Sequence, residues 1–140
     1  MKKAPTIGLG LLLRRANKSF SGALTARLES QGISRTQFHH LRRLAEAEGV
    51  SSSELSARVE VTKATSTSIL DALEERGLIR RERDGVDRRR VNVFLTDAGR
   101  LIQADLAAAA IAVNTAATRD FSAEEKLQLF DLLGRMVEAL

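Results

Sequence analysis

The chain has 140 residues, 44% of them hydrophobic, which fits one domain with a modest core. It has no cysteine, which excludes disulfides, thiol redox sensing and cysteine-based metal sites, and is compatible with a reducing compartment. The net charge of +4 suits an acidic partner, and serves solubility equally well.

Five Phe and no Tyr or Trp leave a core of Leu, Ala, Val and Ile, and a single Pro favours helix. No apolar run approaches the roughly 20 residues that span a bilayer, so no membrane partner is expected. The start, MKKAPTIGLGLLLRR, has two lysines and an apolar run. Arg14 and Arg15 close that run without a small-residue cleavage pattern, so a cytoplasmic location is expected rather than export. Charge is uneven: residues 1–43 carry a net +8, residues 44–79 −4, residues 80–100 +3 and residues 101–140 −3.

Pro5 can sit near a helix start, where its missing N–H costs nothing. Leu9, Leu12/Leu13, Ala16, Phe20, Ala23/Leu24 and Leu28 then form a helical stripe that ends at Gln31-Gly32. Arg14, Arg15, Lys18 and Arg27 occupy its other faces. A second helix opens with the capping box Ser34-x-x-Gln37 and buries Phe38, Leu41, Leu44 and Ala45 before Gly49 stops it. His39 and His40 lie about 100° apart on this helix, too divergent to share a metal easily, and no metal or cofactor is expected. One of the pair can serve as a hydrogen-bonding or titrating group in a pocket, and the commoner outcome is a surface or semi-buried histidine with no special role.

Ser51-x-x-Glu54 reads as another capping box, opening a short helix to about Val59 with Leu55 and Val59 inward. Glu60-Val61-Thr62 is the turn. Thr62 caps a longer helix that runs to about Arg76, with Gly77 as its stop. Short helix, tight turn and longer helix make a helix-turn-helix. On the longer helix Ser66, Ile69, Leu70 and Leu73 share the core side. Lys63, Ala64, Thr67, Ser68 and Asp71 share the opposite side, where small and polar residues suit base edges and phosphates. The helix start at Thr62 adds free N–H groups that attract phosphate. Asp71 is awkward there, and pairing with an arginine is its expected role.

Residues 78–83 and 91–95 read as two strands around a turn signal at Asp84-Gly85. Six arginines lie between residues 80 and 90, at Arg80, Arg81, Arg83, Arg88, Arg89 and Arg90. Arginine on a ribbon can enter a narrow minor groove or clamp phosphates. Thr96 then caps an Ala-rich helix from Asp97 to about Thr118. The box Ser122-x-x-Glu125 opens a last helix carrying Leu127, Phe130, Leu132/Leu133, Met136, Val137 and Leu140. That helix is too apolar for a free tail. The fold class is mainly α with a small β-hairpin: a winged helix-turn-helix with further helices.

The stretch Glu54–Gly99 resembles the MarR family of bacterial transcription regulators. The matching residues are Glu54-Leu55, Val61-Thr62, Leu70 to Ile79, Asp87-Arg88-Arg89 and Leu95-Thr96-x-x-Gly99. The Asp-x-Arg pair Asp87/Arg89 is the most specific part. Two positions depart from the pattern. Glu60 stands where glycine is common and implies a strained backbone or a slightly different turn, and Ser66 stands where an apolar residue is common and loosens the local core. The resemblance implies one domain over 1–140, with dimerisation helices in 1–33 and 97–140 and a DNA-binding lobe over 34–96. It implies a homodimer on double-stranded DNA, with the helix from Thr62 in the major groove and Arg88 and Arg89 at the minor groove or backbone. Asp87 would support the wing by ion pairing. Thr62, Lys63, Ala64, Thr67, Ser68, Arg83, Arg88 and Arg89 are thus the candidate DNA contacts. A small aromatic or phenolic anion is the implied effector, with Arg14, Arg15, His39 and His40 as candidate contacts. The alternatives are a constitutive or architectural DNA binder, or a winged helix used for protein contacts, without an effector. No phosphate loop, metal cluster or nucleophile–base constellation points to an enzyme.

Overall fold

The computed structural model describes residues 7–140, so the helix start expected at Pro5 lies outside the described residues. In chain order the elements are α1 (Leu9–Glu29), α2 (Arg35–Glu46), α3 (Ser52–Val59), α4 (Lys63–Glu75), β1 (Ile79–Arg83), β2 (Val91–Leu95), α5 (Asp97–Ala117) and α6 (Ala123–Ala139). This is the mainly helical winged helix-turn-helix that the residue pattern implies.

Local chemistry sets most element ends. Ser34 and Gln37 form a reciprocal capping box at α2, as do Ser122 and Glu125 at α6. The hydroxyls of Thr62 and Thr96 accept the N–H groups of Thr65 and Gly99 and so cap α4 and α5. The box expected at α3 is only half formed. Ser51 Oγ accepts the Glu54 N–H, but the Glu54 carboxylate turns away to Arg90 at 3.2 Å, a stronger charge-assisted partner. Glu60 adopts φ 62°, ψ 42° and closes α3 in the left-handed region, a conformation that strains an L side chain by roughly 1–2 kcal/mol.

The hairpin is antiparallel, registered from Ile79↔Leu95 to Arg83↔Val91. Ile79, Val93 and Leu95 point into the core. On the outer side, register partners Arg80 and Phe94 stack, with the guanidinium 4.4 Å from the ring centroid. The segment at Gly49–Ser51 lies along the far edge of β2, where Gly49 N–H donates to Val93 O and Val93 N–H to Val50 O. The chain does turn at Asp84-Gly85, but not as a two-residue hairpin turn. Gly85 is not left-handed, and residues 84–90 make a wider loop organised by the Asp84 carboxylate.

One core joins Leu24 and Leu28 of α1, Phe38, Leu41 and Leu44 of α2, Leu55, Leu70, Leu73, and Leu106 and Val113 of α5. Arg76, just past α4, donates to Gly32 O at 2.8 Å and Gln31 O at 3.2 Å and ties the ends of α4 and α1 together. The stripe predicted along α1 meets this core only in its last turns; Leu9, Leu12 and Phe20 are exposed. Helix α6 buries no residue, and Leu127, Phe130 and Val137 are 72%, 66% and 79% exposed.

Candidate nucleic-acid interface

Helix α4 divides as its periodicity demands. Ser66, Leu70 and Leu73 are buried, while Thr62, Lys63, Ala64, Thr67 and Ser68 are all exposed on the other side. The Thr67 hydroxyl donates to Lys63 O at 2.8 Å and that of Ser68 to Ala64 O at 3.3 Å. Each hydroxyl oxygen keeps acceptor capacity and can rotate towards a base edge or phosphate.

Asp71 would place a negative charge on this face. Arg81 of β1 removes it, with Nη2 2.6 Å from Asp71 and 3.2 Å from Glu74. Glu74 also accepts the backbone N–H of Arg81 at 3.0 Å. The Arg81 hydrogen bond holds the Glu74 carboxyl below its usual range, and Glu74 in turn raises the Arg81 pKa. The pairing anticipated for Asp71 therefore ties α4 to the wing strand.

In the wing Arg88 and Arg89 are exposed, Arg89 with 96% of its side chain in solvent. Arg83 is also exposed, but its guanidinium braces the loop by donating to Arg88 O at 2.9 Å. Asp87 accepts the Arg89 N–H at 3.0 Å and lies 3.7 Å from the Arg89 guanidinium.

The sequence reading missed the chief organiser of the wing, Asp84. Its carboxylate accepts from Asp87 N–H at 2.9 Å, Val86 N–H at 3.1 Å and the Asn92 amide at 2.8 Å. These bonds, that from Asp87 first, hold its carboxyl below the usual range. The available signal was an Asp opening a loop with backbone N–H groups two and three residues on. Arg90, also missed, reaches Asn92 at 2.8 Å and Glu54 at 3.2 Å and so joins the wing to α3. A shallow cleft of about 210 Å³ lies at that joint, lined by Ser51, Ser52, Ser53, Asp87, Arg89 and Arg90.

The four effector candidates are not brought together. Arg14 and Arg15 are exposed on α1, before the turns that meet the core. His39 is half-buried beside the Phe38 ring, and burial, then Arg35, Arg42 and Arg43, lower its pKa. His40 needs correction as a pocket residue: it is fully buried, with both ring nitrogens engaged by Thr36 and Ser66. A groove of about 320 Å³ does open between α2 and α5, lined by Phe38, Arg42, Glu46, Gln103, Ile111 and Asn114 among others, but by none of the four. Among the described residues no three His, Cys, Asp or Glu side chains are placed to hold a metal ion.

A family model described as MarR family matches residues 33–91. The transcriptional regulator HosA of Escherichia coli is 33% identical over 113 residues, which cover 78% of this chain and 81% of HosA. The chain belongs to the MarR family. Another relative of this MarR-family regulator is the HTH-type transcriptional repressor YetL of Bacillus subtilis, 29% identical over 139 residues, covering 98% of this chain and 83% of YetL. Among solved structures it is similar to the PcaV transcriptional regulator of Streptomyces coelicolor in complex with its natural ligand. That similarity has a TM-score of 0.81 at 25% identity and covers 99% of both chains. The α3–α4 pair and the β1–β2 wing are thus the DNA-binding winged helix of a MarR-family transcriptional regulator.

Proposed function

We propose that this chain acts in the cytoplasm as a homodimeric repressor that binds a pseudo-palindromic operator and leaves it when a small aromatic or phenolic anion binds. The observation that carries the DNA reading is the exposed face of α4. Lys63, Ala64, Thr67 and Ser68 present a small, polar surface there, and Arg81 pairs with the carboxylates of Asp71 and Glu74 further along the helix. The helix start capped by Thr62 attracts phosphate. Arg88 and Arg89 extend from the wing to the minor groove or backbone, and Asp84 and Asp87 hold the loop that carries them. The repressor sign is supported by the relative named a repressor, YetL.

The dimer reading is supported by the open apolar faces of α6 and of the first half of α1. A second copy covers them at a two-fold axis and sets two recognition helices one DNA turn apart. Arg14 and Arg15 on α1 then lie near the junction of the two chains, and with His39 they are the proposed effector contacts. Similarity to PcaV, solved with its natural ligand, supports a small-molecule effector, and the α2–α5 groove offers a second place for it. A ligand that binds better to the form with mismatched half-site spacing shifts the population off DNA by that difference in affinity. Among the described residues no helix is long and apolar enough to cross a membrane.

Titration of the protein with its own upstream promoter DNA and a scrambled duplex, at two salt concentrations, tests this reading. A sequence-specific, salt-sensitive complex of two chains per site is expected. Equal weak binding to both duplexes would refute it, and specific binding that no aromatic acid releases would leave a constitutive binder.

A further inference from the structure

His40 and Ser66 form a polar contact inside an otherwise apolar core. They are 0% and 1% exposed, and they connect α2 to the recognition helix α4. His40 Nδ1 lies 2.7 Å from Thr36 O, and Nε2 lies 3.0 Å from Ser66 Oγ. A carbonyl only accepts, so Nδ1 carries the ring proton and Nε2 accepts the Ser66 hydroxyl. The imidazole in this arrangement is neutral and fully used.

Apolar contacts around it are non-directional and carry no preferred bond direction that would fix the seating of the helix. A ring–hydroxyl hydrogen bond has a preferred length and direction. Ser66 lies directly beside the exposed Thr67 and three residues beyond Lys63, so its position sets where those side chains stand. We propose that the His40–Ser66 hydrogen bond seats the recognition helix on α2, and that a proton on His40 unseats it and lowers operator affinity.

A second proton reverses the bond, so that Nε2 donates to Ser66 Oγ and the Ser66 hydrogen must turn away to another acceptor, and it puts a full charge in the core. The neighbouring titratable group on the same helix is His39, itself facing Arg35, Arg42 and Arg43. The buried residues that α1, α3, α4, α5 and β2 turn towards this core are all uncharged, so no carboxylate among them stabilises the imidazolium. Burial lowers the His40 pKa, more than the Thr36 bond raises it. The contribution of neutral His40 is therefore complete above the unfolded value of about 6.5 and is lost as pH falls from there towards the folded value.

The inference rests on the DNA-binding reading, but the seating of α4 is measurable without DNA. NMR would follow the His40 ring and the Ser66 and Thr67 amides from about pH 8 down through the His40 midpoint, which lies below the unfolded value of about 6.5. In the wild type those amides should move with the His40 midpoint. Operator affinity should fall over the same window, steepening towards about tenfold per pH unit for each protomer, the limit for one linked proton. His40→Gln, uncharged but able to accept from Ser66, and the apolar pair His40→Leu/Ser66→Val should both abolish the acid loss. Amides that ignore the His40 titration would overturn the proposal. So would variants that lose affinity with acid just as the wild type does. A wild type that binds no duplex at any pH would instead refute the operator reading, and the amide titration alone would then decide the seating.

Discussion

Gly99 lies in the first turn of α5, buried where the chain leaving α4 crosses the helix start. A Cβ there would stand 2.9 Å from the Leu78 carbonyl carbon and 3.4 Å from its Cα, and closer still to the carbonyl oxygen. These are backbone atoms, and they are held in place: Thr96 N–H donates to Leu78 O at 3.1 Å, and Thr96 Oγ to Gly77 O at 2.6 Å. No side chain can rotate aside, so Gly99→Ala must push α5 off the α4–β1 junction. Alanine returns about 1 kcal/mol of helix propensity. Overpacking costs about 1–3 kcal/mol, occasionally more, and a backbone obstacle belongs at the upper end. The expected net loss is about 2 kcal/mol, read from urea unfolding at fixed protein concentration, because stability of an associating chain depends on concentration. An unchanged or higher midpoint with unchanged slope would refute the reasoning, since α5 would then start equally well with a methyl group at its crossing point.

Arg89→Ala should weaken operator binding by about 1–3 kcal/mol if the side chain reads a base edge, or lower the salt slope by about one if it neutralises a phosphate; unchanged affinity and slope in a salt titration would remove Arg89 from the interface. Asp84 has a depressed carboxyl pKa, so the wing order it supports is present above the unfolded value of about 3.9 and is lost as pH falls through the lower folded value. The Val86 and Asp87 amide shifts should report that loss on acidification, and Asp84→Ala should show the disordered shifts already at neutral pH; native shifts in that variant would contradict the assignment. Phe130→Glu, on the uncovered face of α6, should convert a two-chain species to one chain in sedimentation and cut operator affinity. A variant that stays two-chain would place the contact elsewhere.

Short-range chemistry made much of this molecule readable in the chain itself. The caps at Ser34, Thr62, Thr96 and Ser122 act on N–H groups three residues on, so the starts of α2, α4, α5 and α6 follow from the local residues. The division of α4 into a buried side and an exposed small polar side follows from 100° per residue. That Asp71 pairs with an arginine follows from its place on a polar helix face, but that the partner is Arg81, ten residues on, was decided by where the hairpin lies. What only the tertiary structure decided rests on partners distant in the chain. Glu54 abandoned its own helix cap for Arg90, 36 residues away, and His40 was taken from a candidate pocket into the core by Ser66, 26 residues away. Gly99 matched a family pattern, yet its reason is the Leu78 backbone that crosses it. The apolar stripes of α1 and α6 are the clearest case. Periodicity says that a helix face is apolar, but burial is a property of two surfaces, and among the described residues the second surface meets only the end of α1 and none of α6.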